Sequence, residues 1–239
     1  MQFTTTVHRA FVLIAILSIG VSVRAQTSTT ATHRKVTLHL PPGRSQSVQI
    51  DYFLYGPFGA RGGSVASAKN RKSLAVNTDV EGVAANEIKI VAYLPGCKFV
   101  LLDIPLSGKS EERQLFCLPR PSLSLRGEIF PISITQEQPT VIEVGYLAEW
   151  ANRFFGVADG AAPDFHVATI KPDENGQFQL EVPDVYHHQS RGDGFQFILR
   201  DPRTLNIIAF LKPAENPEGS SVLAVQPSYD VVRLVAEVR

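Results

Sequence analysis

From residue 35 onward, apolar side chains return at every second position, and that rhythm restricts the chain to strands. In "KVTLHL" (35–40), Val36, Leu38 and Leu40 share one face, while Lys35, Thr37 and His39 share the other. The segments "VQIDYFLY" (48–55), "SLAVNT" (73–78), "EIKIVAYL" (87–94) and "CKFVLLDI" (97–104) are further strand candidates. Between them stand breaks rich in glycine and proline, such as "GPFGARGG" (56–63) and "PG" (95–96). The second half continues with "SLSLRGEIF", "TVIEVGYL", "FHVATI", "GQFQLEV", "GFQFILR", "LNIIAFL" and "VVRLVAEV". No long segment has a helical period. One short stretch stays open: in "YLAEWANRFF" (146–155), Tyr146, Trp150 and Phe154 fit both a helix face and one side of a strand, because their spacings are even. Many short strands with turn chemistry every eight to twelve residues predict an all-β protein of sandwich type.

Prolines and the N-terminus divide the chain. Residues 1–25 read as a signal peptide: His8 and Arg9 precede an uncharged apolar run from Ala10 to Val23, and Val23-Arg24-Ala25 fits cleavage before Gln26. The run is short for a bilayer span, and no later run is long enough for one. Residues 26–34, "QTSTTATHR", lack any pattern and read as a flexible lead-in. "LPRPS" (118–122) holds two prolines in three residues, which favour extended backbone and remove donors. The expected organisation is therefore a sandwich-like domain over 35–118, a stiff linker over 119–122 and a second β-sandwich over 123–239.

Charge excludes some partners. The whole chain has 23 basic and 23 acidic residues, and loss of the leader removes only Arg9 and Arg24. No excess of either sign points to nucleic acid or to an anionic membrane. Export makes the only two cysteines informative. In an oxidising compartment Cys97 and Cys117 have one economical assignment, a single disulfide. It would close a loop worth about 3 kcal/mol by chain entropy. The alternative, a pair of metal or redox thiols, lacks a C-x-x-C or a cysteine–histidine cluster.

Motifs for chemistry are sparse. "KPDENG" (171–176) lies between two alternating runs, and its Pro, Asp, Asn and Gly each suit a turn: Pro172 presets φ, Asp173 bonds nearby N–H groups, and Gly176 accepts a left-handed backbone. The spacing of its acids does not match a calcium loop. His187 and His188 are adjacent, so in a strand they would point to opposite faces and not at one ion, while a loop could allow it; they read as solvated loop histidines. "RGD" (191–193) matches a cell-adhesion tripeptide, and "GKS" (108–110) matches the end of a phosphate loop, and both read as coincidence. In the second case Asp103 occupies the place of the first glycine. There is no G-x-S-x-G elbow and no H-E-x-x-H helix. A carboxylate pair for glycoside hydrolysis is defined in space, so sequence cannot nominate one.

"ATIKPDENGQFQLEVP" (168–183) resembles the T-D-x-x-G-x-F-x-x-x-x-P hairpin of carboxypeptidase regulatory-like domains, the transthyretin-like (prealbumin-like) β-sandwiches. In that pattern Thr169, Asp173, Gly176 and Phe178 hold the turn and the first core contact, with Pro183 near the strand end. "LRGEIF", with Gly127, is similar to the family's first strand. "PTVIEVGY" stands where the family has P-x-x-G-A-x-V, and "PDVYHHQSRGDG" replaces its P-G-x-Y turn. The resemblance implies an accessory, stabilising or binding module of the kind common in secreted bacterial proteins, and brings no catalytic residues. The expected protein is thus a non-catalytic exported module without a cofactor, periplasmic or extracellular, with a protein or glycan partner. The alternative is a carbohydrate-binding or carbohydrate-active protein that stacks sugars on an exposed row of Tyr146, Trp150 and Phe154.

Overall fold

The computed structural model describes residues 34–42, 47–79, 84–136, 138–158, 162–185, 193–215, 222–223 and 231–238. The expected leader over 1–25, the lead-in up to 33, and His187 and His188 lie outside them. The fold is all-β, with two short helices among the described residues.

The first half builds two sheets. Strands β1 (Lys35–His39), β4 (Ser73–Asn77) and β7 (Glu111–Gln114) form one, in the order β4-β1-β7, with β1 and β7 parallel. Strands β2 (Gln49–Gly56), β3 (Gly59–Ala66), β5 (Glu87–Tyr93) and β6 (Val100–Pro105) form the other, antiparallel, in the order β3-β2-β5-β6. An aliphatic core fills the space between them: Val36 and Leu38 from β1, Ile50 and Leu54 from β2, Ile88 and Ile90 from β5, with Val76 and Ile104. The alternation in "KVTLHL" is the reason β1 takes this place, since only its even positions are buried.

The second half forms one sheet that curls round a separate core. Its strands are β8 (Ser122–Phe130), β9 (Val141–Leu147), β10 (Asp164–Ile170), β11 (Gln177–Pro183), β12 (Gly194–Arg200), β13 (Ile207–Pro213) and β15 (Val232–Val238), with β14 (Val222–Leu223) beside β12. The path runs β10-β9-β12-β13-β15-β8-β11, parallel only between β15 and β8. All seven strands on the path put side chains into the core, among them Tyr146, Phe165, Phe178, Phe195 and Phe197. The helices are α1 (Ser133–Gln136) and α2 (Trp150–Phe155).

The two halves meet through β5. "EIKIVAY" is buried on both faces towards its end, because Ile88, Ile90 and Ala92 enter the first core while Val91 and Tyr93 enter the second. The Cys97–Cys117 disulfide, with Cα atoms 5.2 Å apart, anchors the turn after β5 to the segment that leads into β8. That segment is bonded to the same turn along its length. Lys98 N–H donates to the Leu118 carbonyl at 2.8 Å, and Arg120 N–H donates to the Gly96 carbonyl at 3.1 Å.

Two details differ from the sequence reading. The glycine-rich "GPFGARGG" is not a break: only Pro57 and Phe58 turn, and β3 begins at Gly59. Gly62 and Gly63 lie against aromatic rings of β2. A Cβ at Gly62 would come within 2.9 Å of the Phe53 ring, and one at Gly63 within 2.7 Å of the Tyr52 hydroxyl. The turn at 172–176 is present, yet it joins strands that do not pair. β10 and β11 stand at opposite ends of the sheet path, so "KPDENG" is an arch across the core and not a hairpin.

Candidate functional site at the junction of the two halves

The arch is built as its residues require. The Asp173 carboxylate accepts from Asn175 N–H at 2.9 Å and Gln177 N–H at 2.7 Å, and Gly176 has φ +72°. A Cβ at Gly176 would press on the Ile129 carbonyl at 3.1 Å. Phe178 pairs across the strands with Gly127, and its ring fills the space that a Cβ there would need. The Asp173 carboxylate therefore holds backbone. Among the described residues no three His, Cys, Asp or Glu side chains gather as they would round a metal ion.

The aromatic row does not form. Tyr146 lies on β9 with no exposure, and its ring packs on Phe99 and Phe195. Trp150 and Phe154 lie on α2, half-buried, Trp150 edge-on to Phe99 and Phe154 against Phe155. The chain changes from strand to helix between Leu147 and Trp150, so the even spacing places the first ring in one element and the others in the next. A sugar platform of these three rings is thus excluded by the burial of Tyr146. Asp193 of the "RGD" stretch is also buried, at 3% exposure, and accepts from the Trp150 N–H at 3.0 Å, where it caps the start of α2.

What these rings build is the joint. Phe99, just before β6, touches Tyr93, Tyr146, Trp150 and Phe165, with ring centroids 5.3–5.6 Å away. Phe53 of β2 packs on Phe155 at 4.8 Å. Helix ends leave carbonyls without partners in the helix. Here Tyr55 Oη donates to the Phe155 carbonyl, and Lys89 Nζ to the Phe154 carbonyl at 3.3 Å, both from the first half. Lys89 sits between the Tyr55 and Phe154 rings, 5.6 and 5.7 Å from their centres, and reaches Glu87 at 3.7 Å and Asp103 at 4.0 Å. Arg120 lies over the Phe99 ring at 5.2 Å, and burial lowers its pKa.

At the β3 side of this joint is a small cleft of about 140 Å³. Asp51 and Gln49 of β2, Ser64 of β3, and Asp164 and Phe165 of β10 line it. The Gln49 carboxamide bonds both backbone groups of His166, accepting from N–H at 2.7 Å and donating to the carbonyl at 2.5 Å. Asp51 is half-buried, and desolvation raises its pKa to about 6, against a lowering bond from the Tyr52 backbone. Asp164 stands at the rim, its pKa raised by desolvation first and by Glu143 second, with His166 opposing. Sequence reasoning missed both residues, because nothing in either segment marks them as neighbours.

No family model matches the chain, and no curated protein matches it. Among solved structures, the shaft pilin of Lactobacillus rhamnosus GG is 9% identical, with a TM-score of 0.27 over 86% of this chain and 98% of its own. A candidate adhesin from Bacteroides ovatus is 11% identical, with a TM-score of 0.19 over 74% of this chain and 81% of its own. Neither likeness is close enough to assign function. No helix among the described residues is long and apolar enough to cross a membrane.

Proposed function

We propose that this chain is an exported, non-catalytic binding or structural module, processed before Gln26 and working in the periplasm or outside the cell. The observation that carries the reading is the joint. Tyr55, Lys89 and Gln49 each bond a backbone group of the opposite half, so the polar groups there fix the two halves into one body. The Cys97–Cys117 bond supports an oxidising compartment. The arch residues Asp173, Gly176 and Phe178 support kinship of the second half with carboxypeptidase regulatory-like sandwiches, whose role is accessory.

The test begins with export. The protein is expressed with its leader, recovered from the exported fraction, and its N-terminus and thiols are determined. The expected chain starts at Gln26, has no free thiol, and turns over no peptide, ester or glycoside substrate above a blank. Turnover that follows the purified protein and is lost in Asp51→Asn would contradict the reading.

A further inference from the structure

The edges of the sheets are not treated alike. Proteins protect an edge strand by keeping it short, or by placing charge, proline or a bulge on it. β7 has four residues, three of them charged; β6 carries Asp103 and ends on Pro105. On β10, the Gln49 side chain occupies the backbone of His166. β3 has none of these protections except one charge, Arg61. It is eight residues long and regular in register with β2 from Gly59 to Ala66. Among the described residues nothing pairs with its outer side.

The register gives the direction of the free groups. Ser67 N–H donates to the Val48 carbonyl at 2.8 Å, which fixes the phase of the β2–β3 ladder. Alternation along an antiparallel pair then turns the N–H and C=O groups of Ala60, Gly62, Ser64 and Ala66 outward. The side chains of Ala60, Ser64 and Ala66 lie on the face shared with Asp51, Phe53 and Tyr55, since cross-strand partners share a face. On that face is the cleft with Asp51 and Asp164, and Ser64 is its β3 wall. No ion pair to a cation is formed by either carboxylate among the described residues, and burial is the first cause of the raised pKa of both.

We propose that the outer edge of β3 binds an extended polypeptide as an added strand, with one lysine or arginine side chain seated between Asp51 and Asp164. Backbone bonds from the outward groups supply affinity, and the carboxylates select the basic residue that lies opposite Ser64. Gly62 helps, because a glycine among the outward residues lets another backbone approach closely. This rests on the module reading above and names its partner class.

The test uses the full mature chain and three nine-residue peptides of alternating threonine and valine. One has a central arginine, one a central glutamate, and one the arginine with N-methylated backbone on the pairing side. Fluorescence anisotropy is expected to show the arginine peptide binding about tenfold or more tighter than either of the others. Asp51→Asn with Asp164→Asn should remove the preference for arginine over glutamate. Ser64→Pro should abolish binding of all three, since it deletes an outward donor and leaves the bonds to β2 in place. Each variant is checked for an unchanged fold by circular dichroism; if Ser64→Pro misfolds, the N-methylated peptide alone tests the backbone contact. Equal binding of the three peptides, no binding at all, or binding indifferent to the carboxylates overturns the proposal. None of these results bears on the module reading, which fails only on turnover or on absence of export.

Discussion

The two cores of this protein are made of different material. Between the first two sheets the buried residues are almost all Val, Leu, Ile and Ala, whereas the curled second sheet encloses Tyr93, Tyr146, Phe155, Phe165, Phe178, Phe195 and Phe197. An aliphatic sandwich is closed by its own two sheets. The aromatic core is not, for it takes Val91 and Tyr93 from β5 and packs on Phe53 and Phe99 of the first half. The difference teaches that the dependence is unequal: the second half borrows rings, and the first half lends a sheet face that would otherwise meet water.

That inequality can be broken by paired truncations. Phe99→Ala removes a ring with four aromatic neighbours and should cost about 3 kcal/mol, the low end for Phe→Ala because Phe99 is only partly buried. It should also shift the emission of Trp150, the sole tryptophan, in the folded state. Leu54→Ala, inside the first core, should cost a similar amount and leave that emission unchanged, because Leu54 belongs to the aliphatic cluster. Denaturant unfolding followed by fluorescence measures both. A silent Phe99→Ala would show that the borrowed rings carry little.

Much of this was legible in the sequence. Period-two alternation located most of the strands, since a one-face-buried strand writes its burial in every second residue. The only two cysteines in the chain are bonded. The arch residues took the conformations that Asp173 and Gly176 demand. What alternation does not encode is pairing. The "KPDENG" turn has the same chemistry whether its strands pair or arch, and their positions at opposite ends of the path depend on contacts far away in sequence. β3 was hidden because its strand character comes from the rings of Phe53 and Tyr52 above its glycines, not from its own side chains. For the same reason the Asp51–Asp164 cleft has no signature: it exists only once β10 docks beside β2.

A pH-dependent effect sharpens the comparison on its polar side. Asp51 has a folded pKa of about 6 against an ordinary 3.8, raised by burial. A carboxyl with a raised folded pKa binds its proton more tightly when folded, so its charge destabilises the fold above about pH 6 and this penalty fades as pH falls towards 4. Asp51→Asn should therefore melt higher than the parent protein at pH 7.5, and the gap should close by pH 4. Melting curves across that range check it; a gap that is constant, or that grows in acid, would show that burial does not govern this group.

The central claim is that the second half is a foldable sheet whose core leans on rings from the first. The most direct measurement is the thermal unfolding of residues 123–239 alone, compared with the whole mature chain and followed by Trp150 fluorescence. The account predicts a cooperative transition for the fragment, at a clearly lower temperature than for the whole chain, with Trp150 emission shifted to the red by loss of Phe99. An unchanged melting temperature and emission, or a fragment with no cooperative transition, would contradict it.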